Sequence, residues 1–229
     1  MPQRAAVSTP KIRGLPLLYG GPPMIRMRPR FLMALAVVLL PAPLYAQPTG
    51  WQIDPQHTSI QFAVSHMQTS TVHGRFDKVN GTVKWDGGEF TSASVEIVTE
   101  VASINTGVPK RDEHLRTADF LQVEKFPTIT FRSRKIEPAG PGKLRMIGDL
   151  TIRGVTRPVT FDVSGPKGPV KGPDGETRIG ASATTTIDRR DFGLRWNRIL
   201  EAGGLLVGFQ VAITIDIEIV ERAGGDGKK

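Results

Sequence analysis

From Trp51 onward, apolar and polar residues alternate along most of the chain, with the two-residue period of a half-buried β-strand. The clearest run extends from Leu205 to Ile219, where every second residue is apolar and Asp216 and Glu218 occupy the opposite face. Earlier segments have the same period, and clusters of Gly, Pro and Asp separate them as turns separate strands. The pattern predicts an all-β domain of about eight antiparallel strands, each with one apolar face.

Two architectures fit this alternation, because a closed barrel and a two-sheet sandwich both bury one face of every strand. Two features favour a barrel with a wide bore. The last strand extends over about fifteen residues, which is longer than a typical strand. In addition, Gly148 and Gly208 fall inside strand patterns, where glycine permits bends. We therefore expect residues 47–222 to form an antiparallel β-barrel of about eight strands.

One stretch of about 25 residues, 104–127, breaks the alternation, and inter-strand excursions of this length are usually functional. Pro109 suits the first position of a helix, and the acidic residue Asp112 suits its first turn. The spacing predicts a short helix over 109–117, with a further helical turn at 118–121.

The first 46 residues have the composition of a targeting segment. They contain six Lys/Arg, no Asp or Glu, and one uninterrupted apolar run from Phe31 to Leu40. Basic residues before this run and the small residue Ala46 after it are typical of a secretory signal peptide, and the run is too short to span a membrane. We expect 1–46 to be removed on export to the periplasm and the tail 223–229 to be disordered.

Removal of that segment changes what the charge implies. The chain has a net charge of +8, but its 30 Lys/Arg less the six in the removed segment leave 24 against 22 Asp/Glu, a net of about +2. We therefore expect no nucleic-acid partner. The chain has no cysteine, which excludes disulfides and thiolate sites, and its four histidines lack the spacing of a zinc motif. No metal or cofactor is expected.

Several segments, taken in order, resemble one known family; the most specific are HLRTADFL, FPTITF and GDLTIRGVTRPV. The series runs from about Trp51 to Val220 and is similar to the YceI-like family of periplasmic polyisoprenoid-binding proteins. The resemblance implies a lipocalin-like eight-stranded barrel, often dimeric, whose apolar tunnel holds a long isoprenoid chain with the polar head near the mouth. It implies neither catalysis nor an essential metal. Other members bind related lipids, such as fatty amides or quinone-like molecules, so the lipid itself stays open.

Candidate wall residues of such a tunnel are apolar and aromatic residues from the predicted strands and the irregular segments. They are Phe62, Val64, Phe76, Ile97, Phe126, Phe131, Phe161, Phe192, Trp196 and Phe209. Alternation shows only that one face is buried, so each of them also fits an ordinary packed core. Only the resemblance assigns the group to a tunnel.

Candidate head-group contacts come from one strand end, from the long excursion, and from a second irregular piece at 188–197. They are His66, Arg111, His114, Arg116, Arg189 and Asn197. His66 is in phase with the apolar positions before it and should point inward, while clustered cationic donors suit a phosphate or another polar head. Alternatives stay open for each: a hydrogen-bonded core or rim histidine, a solvated helix face over 111–116, and an ion pair of Arg189 or Arg190 with Asp191.

Three functions remain open at this level. The one we favour is a lipid-binding carrier, sequestering protein or store in the cell envelope. It would contact a membrane transiently, with 105–125 moving as a gate, and a homodimer also fits. The second is an envelope stress or structural protein with a filled barrel, and the third is a lipid-modifying enzyme with His66 or His114 as acid/base.

Overall fold

The computed structural model describes residues 50–201 and 203–221. The signal peptide predicted at 1–46 and the tail predicted at 223–229 lie outside the described residues and stay predictions. Within the described ranges, no helix combines the length and the apolar character needed to cross a bilayer.

The described residues form eleven β-strands and one α-helix. In chain order the strands are β1 (Trp51–Ile53), β2 (Ser59–His66), β3 (Ser70–Phe76), β4 (Val79–Lys84), β5 (Ser94–Glu100), β6 (Ile104–Asn105), β7 (Thr128–Pro138), β8 (Lys143–Ile152), β9 (Val155–Lys171), β10 (Thr177–Asp188) and β11 (Val207–Glu221). The helix α1 spans Pro109–Arg116, and short 3₁₀ turns lie at Phe90–Ser92, Val101–Ser103 and Arg189–Phe192.

Antiparallel pairing closes the strands into a barrel. The closing strand is β11, which pairs with β10 on one side and with both β1 and β2 on the other. Strands β1 and β2 are two parts of one interrupted strand, and β4 and β3 lie beside them in the same way. Counted so, the wall has eight antiparallel strands, which confirms the predicted barrel.

The wall is incomplete beside β3. The short strand β6 pairs with β3 only through Arg75 and Phe76. Among the described residues, Ser70–Gly74 therefore have a strand partner on the β2 side alone. At this end of the barrel, which we call the α1 end, His66 pairs with Val207 of β11 and α1 faces the same opening.

The helix agrees with its sequence signals, because Pro109 is its first residue and Asp112 lies in its first turn. Asp112 is buried, and its Oδ1 accepts hydrogen bonds from the backbone N–H and the hydroxyl of Thr106 at 2.9 and 2.6 Å. The residues 118–121 form a turn, as predicted, but not a further turn of α-helix. Thr117 is extended, and the residues after it form hydrogen-bonded turns instead.

Charged side chains hold the opposite end of the barrel together. The guanidinium of Arg178 donates to Asp54 at 2.8 Å and also to Glu218 and Glu176. The hydrogen bond of Asp54 with His57, at 2.8 Å, and the one with Arg178 lower the pKa of Asp54 to about 2. Asp54, His57 and Glu218 have the atom types and spacing of a metal site. Arg178 already supplies the positive charge there.

Inside the barrel, aromatic rings from one strand lie against glycines of the next. Gly74 of β3 faces Phe62 of β2, and Gly148 of β8 lies beside Phe131 of β7. A Cβ atom at Gly148 would lie 2.5 Å from Phe131 Cζ, and closer still to the backbone carbonyl oxygen of Arg132. Glycine at this position therefore provides the room in which the ring packs.

We expect Gly148→Ala to lower the free energy of unfolding by about 1–3 kcal/mol, because its methyl group would overlap a backbone carbonyl in a packed core. Gly180→Ala on β10 is the matched control, since its nearest neighbour would be the Ile217 carbonyl oxygen at an ordinary 3.8 Å. We expect that change to stay within about 0.5 kcal/mol. Urea denaturation measures both, and equal losses would contradict the packing role of Gly148.

We also expect an acid-dependent contribution from Asp54. Its pKa in the folded state lies below the ordinary value, so the ionised group stabilises the fold above about pH 4, and this stability is lost as the pH falls towards about 2. Asp54→Asn should be less stable than wild type at neutral pH and should lose less stability on acidification. Thermal midpoints across this range test it, with Asp162→Asn on the exposed face of β9 as control. A response like that of wild type would contradict the prediction.

Candidate functional site

A cavity of about 170 Å³ occupies the barrel interior towards the α1 end. We call it the main cavity. Its lining comes from inward-facing strand residues, from α1 and the turns after it, and from the 3₁₀ turn before β11. It includes Ile60, Phe62, Phe76, Leu115, Phe120, Leu121, Phe161, Phe192, Val211 and Ile213. The lining is apolar because every strand turns its apolar face inward.

Two buried polar side chains, Thr99 and Arg189, interrupt this apolar lining. Arg189 is only 5% exposed and donates to three carbonyl oxygens: Nε to Gly208 at 2.8 Å, and the two Nη atoms to Leu194 at 2.6 Å and Val207 at 3.3 Å. Burial lowers the pKa of its guanidinium from the ordinary value, because the charge is removed from water. The carbonyl dipoles offset part of that cost.

A second cavity, of about 60 Å³, lies further from the α1 end. Ile97, Phe131, Phe161 and Ile215 line both this space and the main cavity. The rings of Phe131 and Phe161 meet edge to face, with centroids 5.1 Å apart. These side chains therefore stand between the two cavities.

A third cavity, of about 200 Å³, lies between β2, β3, α1 and the residues before β11. We call it the mouth, because it borders the edge of β3 that no strand of the described part of the chain pairs with there. The residues that separate it from the main cavity line both spaces: Phe62, Val64, Leu115, Phe120 and Val207. Its own lining is more polar and includes Ser65, His66, Arg111 and His114.

Three aromatic side chains pack against one another at the mouth. The His114 ring meets Trp196 and Phe120 edge-on, with centroids 5.0 and 5.1 Å apart, and Phe120 lies 5.0 Å from Trp196. His114 Nε2 is 2.9 Å from a carboxylate oxygen of Asp119, which orients the imidazole. Both irregular segments of the sequence thus meet at this cluster.

Eight of the ten predicted wall residues border these cavities. Those on the main cavity are Phe62, Val64, Phe76, Ile97, Phe131, Phe161 and Phe192, and the one on the mouth is Trp196. Their contact with a ligand stays a prediction.

Phe126 and Phe209, unlike the other predicted wall residues, line neither the main cavity nor the mouth. Phe126 packs at the turn between β8 and β9, where a Cβ on Gly154 would lie 2.6 Å from its ring. Phe209 lies against the guanidinium of Arg190, 4.0 Å from the ring centroid. In the sequence, Phe209 is in phase with Val207 and Val211, which line the main cavity. In the structure, a register shift between Val207 and Val211 interrupts this alternation.

Three of the six predicted polar residues meet at the mouth: His66, Arg111 and His114. Arg116 does not join them. It borders a separate surface groove and donates to the carbonyl oxygens of Ala102 and Ile104 at 3.0 and 2.9 Å. The helix therefore divides the predicted cationic cluster between two surfaces.

The remaining two polar residues also bond to the backbone. Arg189 borders the main cavity rather than the mouth, and Asp188, not Asp191, pairs with the neighbouring Arg190. Asn197 Nδ2 donates to the Val207 carbonyl at 2.7 Å while its Oδ1 accepts from the Val207 N–H at 3.1 Å. This amide replaces a strand partner at the start of β11.

Sequence reasoning did not assign many of the residues that line the main cavity, and Thr99, Phe120 and Leu121 are three of these. For Phe120 and Leu121, the available signal was an apolar pair inside an otherwise polar excursion. For Thr99, it was a polar residue in phase with the inward positions Val95 and Ile97 of the same strand.

Residues 51–219 match the YceI-like domain family. Among curated relatives, a UPF0312 protein of Shewanella baltica is 37% identical over 171 residues, which cover 74% of this chain and 89% of that protein. A UPF0312 protein of Staphylococcus aureus is 34% identical over 171 residues, covering 74% of this chain and 96% of that protein.

Solved structures show the same fold. BcnA of Burkholderia cenocepacia aligns with a TM-score of 0.62 at 23% identity, covering 72% of this chain and 98% of that one. The YCEI protein of Campylobacter jejuni aligns at 0.57 and 28%, covering 69% and 90%. A polyisoprenoid binding domain from Saccharophagus degradans aligns at 0.56 and 15%, covering 76% and 99%. With the family matched over nearly all of the described residues, this chain belongs to the YceI-like family.

Proposed function

We propose that this protein binds a long apolar lipid of isoprenoid type inside its barrel, and carries, sequesters or stores that lipid in the cell envelope. The observation that carries the proposal is the apolar main cavity, which adjoins a polar mouth at one end of the barrel. The likeness to a structure described as a polyisoprenoid binding domain supports the isoprenoid class. Export by the signal peptide predicted at 1–46 would place the protein in the periplasm.

The chemistry of the two spaces suggests how the lipid lies. The main cavity offers dispersion contacts on all sides and few hydrogen-bond partners, which suits a hydrocarbon tail. At the mouth, Arg111 donates through Nε and Nη2 to the hydroxyl and carbonyl of Thr106 at 2.8 and 2.9 Å, which leaves its other N–H groups for a ligand. Together with the imidazoles of His66 and His114, they suit a phosphate, hydroxyl or carbonyl head. We therefore place the tail inside and the head at the mouth.

The energetics favour slow release. Burial of about thirty to forty carbons, at about 0.8 kcal/mol each, gives a gross gain of about 24–32 kcal/mol. This exceeds the practical ceiling of about 18–21 kcal/mol, so loss of chain flexibility and incomplete burial must offset the rest. Release into water would still be slow, and a carrier of this kind would unload on contact with a membrane.

Loading such a chain requires movement at the mouth. A main cavity of about 170 Å³ is small for a lipid of this length. Leu115 and Phe120, which separate the mouth from the main cavity, belong to the segment 105–125. That segment lies beside the incomplete wall, and only its first residue, Asn105, belongs to a strand pair, with Arg75 of β3. The rest of it can move without breaking strand pairs. We propose that it acts as the gate.

The other two functions have less support. A filled barrel fits poorly, because the interior has unfilled apolar space. The family and its solved relatives favour a binding protein over an enzyme. A lipid-modifying enzyme would show turnover that replacement of His66 or His114 by Ala abolishes while binding persists.

The α1 end also has the features of a membrane-contacting rim. Of the five exposed large apolar side chains among the described residues, three belong to this end: Met67, Val108 and Ile199. Ile199 is 84% exposed on a hairpin in which Leu206 N donates to the carbonyl of Arg198 at 2.9 Å. Exposed Lys110, Arg195 and Arg198 lie on the same segments. Apolar tips beside basic residues suit an anionic bilayer surface.

We expect purified protein to contain about one prenyl lipid per chain, and Val211→Phe to retain about tenfold less. The added ring would take the place of about two methylene groups of the ligand, each worth about 0.8 kcal/mol. Because the ring occupies existing space, the thermal midpoint should not fall. Mass spectrometry of organic extracts measures the lipid.

Ala212→Phe, at the neighbouring exposed position, is the matched control and should keep the lipid. Wild-type protein without lipid in its extract would refute the proposed function. Equal lipid content in Val211→Phe and wild type would refute the placement of the lipid in the main cavity.

We expect lipid transfer from loaded protein to anionic vesicles to speed up with vesicle concentration, and Ile199→Glu to slow it about tenfold. Loss of apolar insertion by one large side chain removes about 1.5 kcal/mol or more of membrane attraction. Transfer of a fluorescent prenyl alcohol, followed in real time, gives the rates. Val170→Glu changes a side chain that is 62% exposed near the far end of β9, and should leave the rate unchanged.

A transfer rate independent of vesicle concentration would rule out unloading by collision. If Ile199→Glu instead left transfer unchanged but altered the mass measured by light scattering, the rim would be an interface between two copies of the chain.

A further inference from the structure

A layer of four side chains crosses the bore between the main cavity and the second cavity. Ile97 of β5 and Phe131 of β7 are direct partners in the sheet, while Phe161 and Ile215 belong to β9 and β11. All four are buried and line both cavities. Because these strands lie on different sides of the barrel wall, the layer spans the bore rather than covering one side of it.

The two aromatic rings make this layer hard to pass. Phe131 and Phe161 are 7% and 4% exposed, and their planes meet at 78° in an edge-to-face contact, which stabilises a pair beyond burial alone. Phe131 is further fixed by Gly148, whose missing side chain leaves the space that the ring occupies. The two rings are therefore held in fixed positions and form a barrier between the cavities.

The space beyond the rings has the same chemistry as the space before them. The second cavity is lined by apolar groups such as Met146, Ile179 and Ala183, so no polar side chain repels a hydrocarbon from it. It adds about 60 Å³ to the 170 Å³ of the main cavity. Among the described residues, this layer of four side chains separates a tail in the main cavity from the additional room, and the two rings are its largest members.

We infer that the Phe131–Phe161 pair is the floor of the lipid cavity and sets the length of prenyl chain that the protein prefers. This inference rests on the proposed function. A chain that enters tail first from the mouth stops at the rings. Isoprene units beyond that length stay near the mouth, where they gain less burial, and shorter chains leave apolar space empty. The preference should therefore peak at one length.

The test is competitive loading with an equimolar ladder of prenyl alcohols of increasing length, followed by mass spectrometry of the retained species. The double variant Phe131→Leu/Phe161→Leu keeps the layer apolar but removes both rings. Its preferred length should increase by about one isoprene unit or more, because the second cavity becomes continuous with the main one. Phe126→Leu removes a ring that lines none of the three cavities, and should leave the preferred length unchanged.

A second variant tests the floor with both rings in place. Ala183→Leu narrows the second cavity. In the wild-type background it should not change the preferred length, because the chain does not reach that space. In the double-leucine background it should reverse the increase. This variant keeps the inference testable even if the double-leucine protein folds poorly.

The outcomes separate the two levels of the proposal. Retention of no prenyl alcohol by wild type would overturn the proposed function and the inference with it. Retention with the same length distribution in wild type and the double-leucine variant would overturn the floor alone. Shortening by Ala183→Leu in the wild-type background would also overturn it, since the chain would then already extend past the rings.

Discussion

Closure of the barrel by backbone hydrogen bonds is the constraint on which the other features depend. Strand β11 pairs with β10 over most of its length and with β1 and β2 on its other side. The backbone N–H and C=O groups of the wall strands therefore find their hydrogen-bond partners in neighbouring strands. A closed wall needs no second sheet to cover its apolar face. Unfilled space inside it forfeits only dispersion contacts.

An eight-stranded bore is wide enough for one small ligand or for its own side chains. In this protein the bore has both kinds of region: open space towards the α1 end, and a layer of packed side chains at Phe131 and Phe161.

The places where closure is incomplete explain where the cationic residues lie. The segment beside β3 has few ladder bonds, and its carbonyl groups need other donors. Arg116 donates to the carbonyls of Ala102 and Ile104, and Arg153 donates to those of Ala118 and Gly193. Arg189 does the same at the start of β11. Guanidinium groups suit this task because one side chain carries several donors in a fixed geometry. Arg116, Arg153 and Arg189 therefore use their guanidinium donors to hold the chain at this end.

The barrel and its helix could be predicted because they depend on local periodicity and on signals such as Pro109. The cavity could not, because alternation shows that Phe62 and Phe161 point inward but not whether their rings meet. Phe209 shows where phase fails, since a register shift in β11 breaks the alternation between two cavity-lining residues. Arg189 shows the opposite case: no periodicity marks a charged residue in an irregular turn as buried, and only the carbonyl groups gathered around it allow that burial.

The two ends of the barrel also differ in what opening would require. At the far end, Arg178 links two strands and the loop before β2 through three carboxylates, and opening there would break ion pairs and ladder bonds together. At the α1 end, Leu115 and Phe120 lie on a segment held by side-chain donors and short turns. Segments with few ladder bonds open at lower free energy than strands do. Under the proposed function, a lipid would therefore be admitted at the α1 end while the wall stays closed, and entry and exit would share one route. The rings of Phe131 and Phe161 would then be the inner limit of that route.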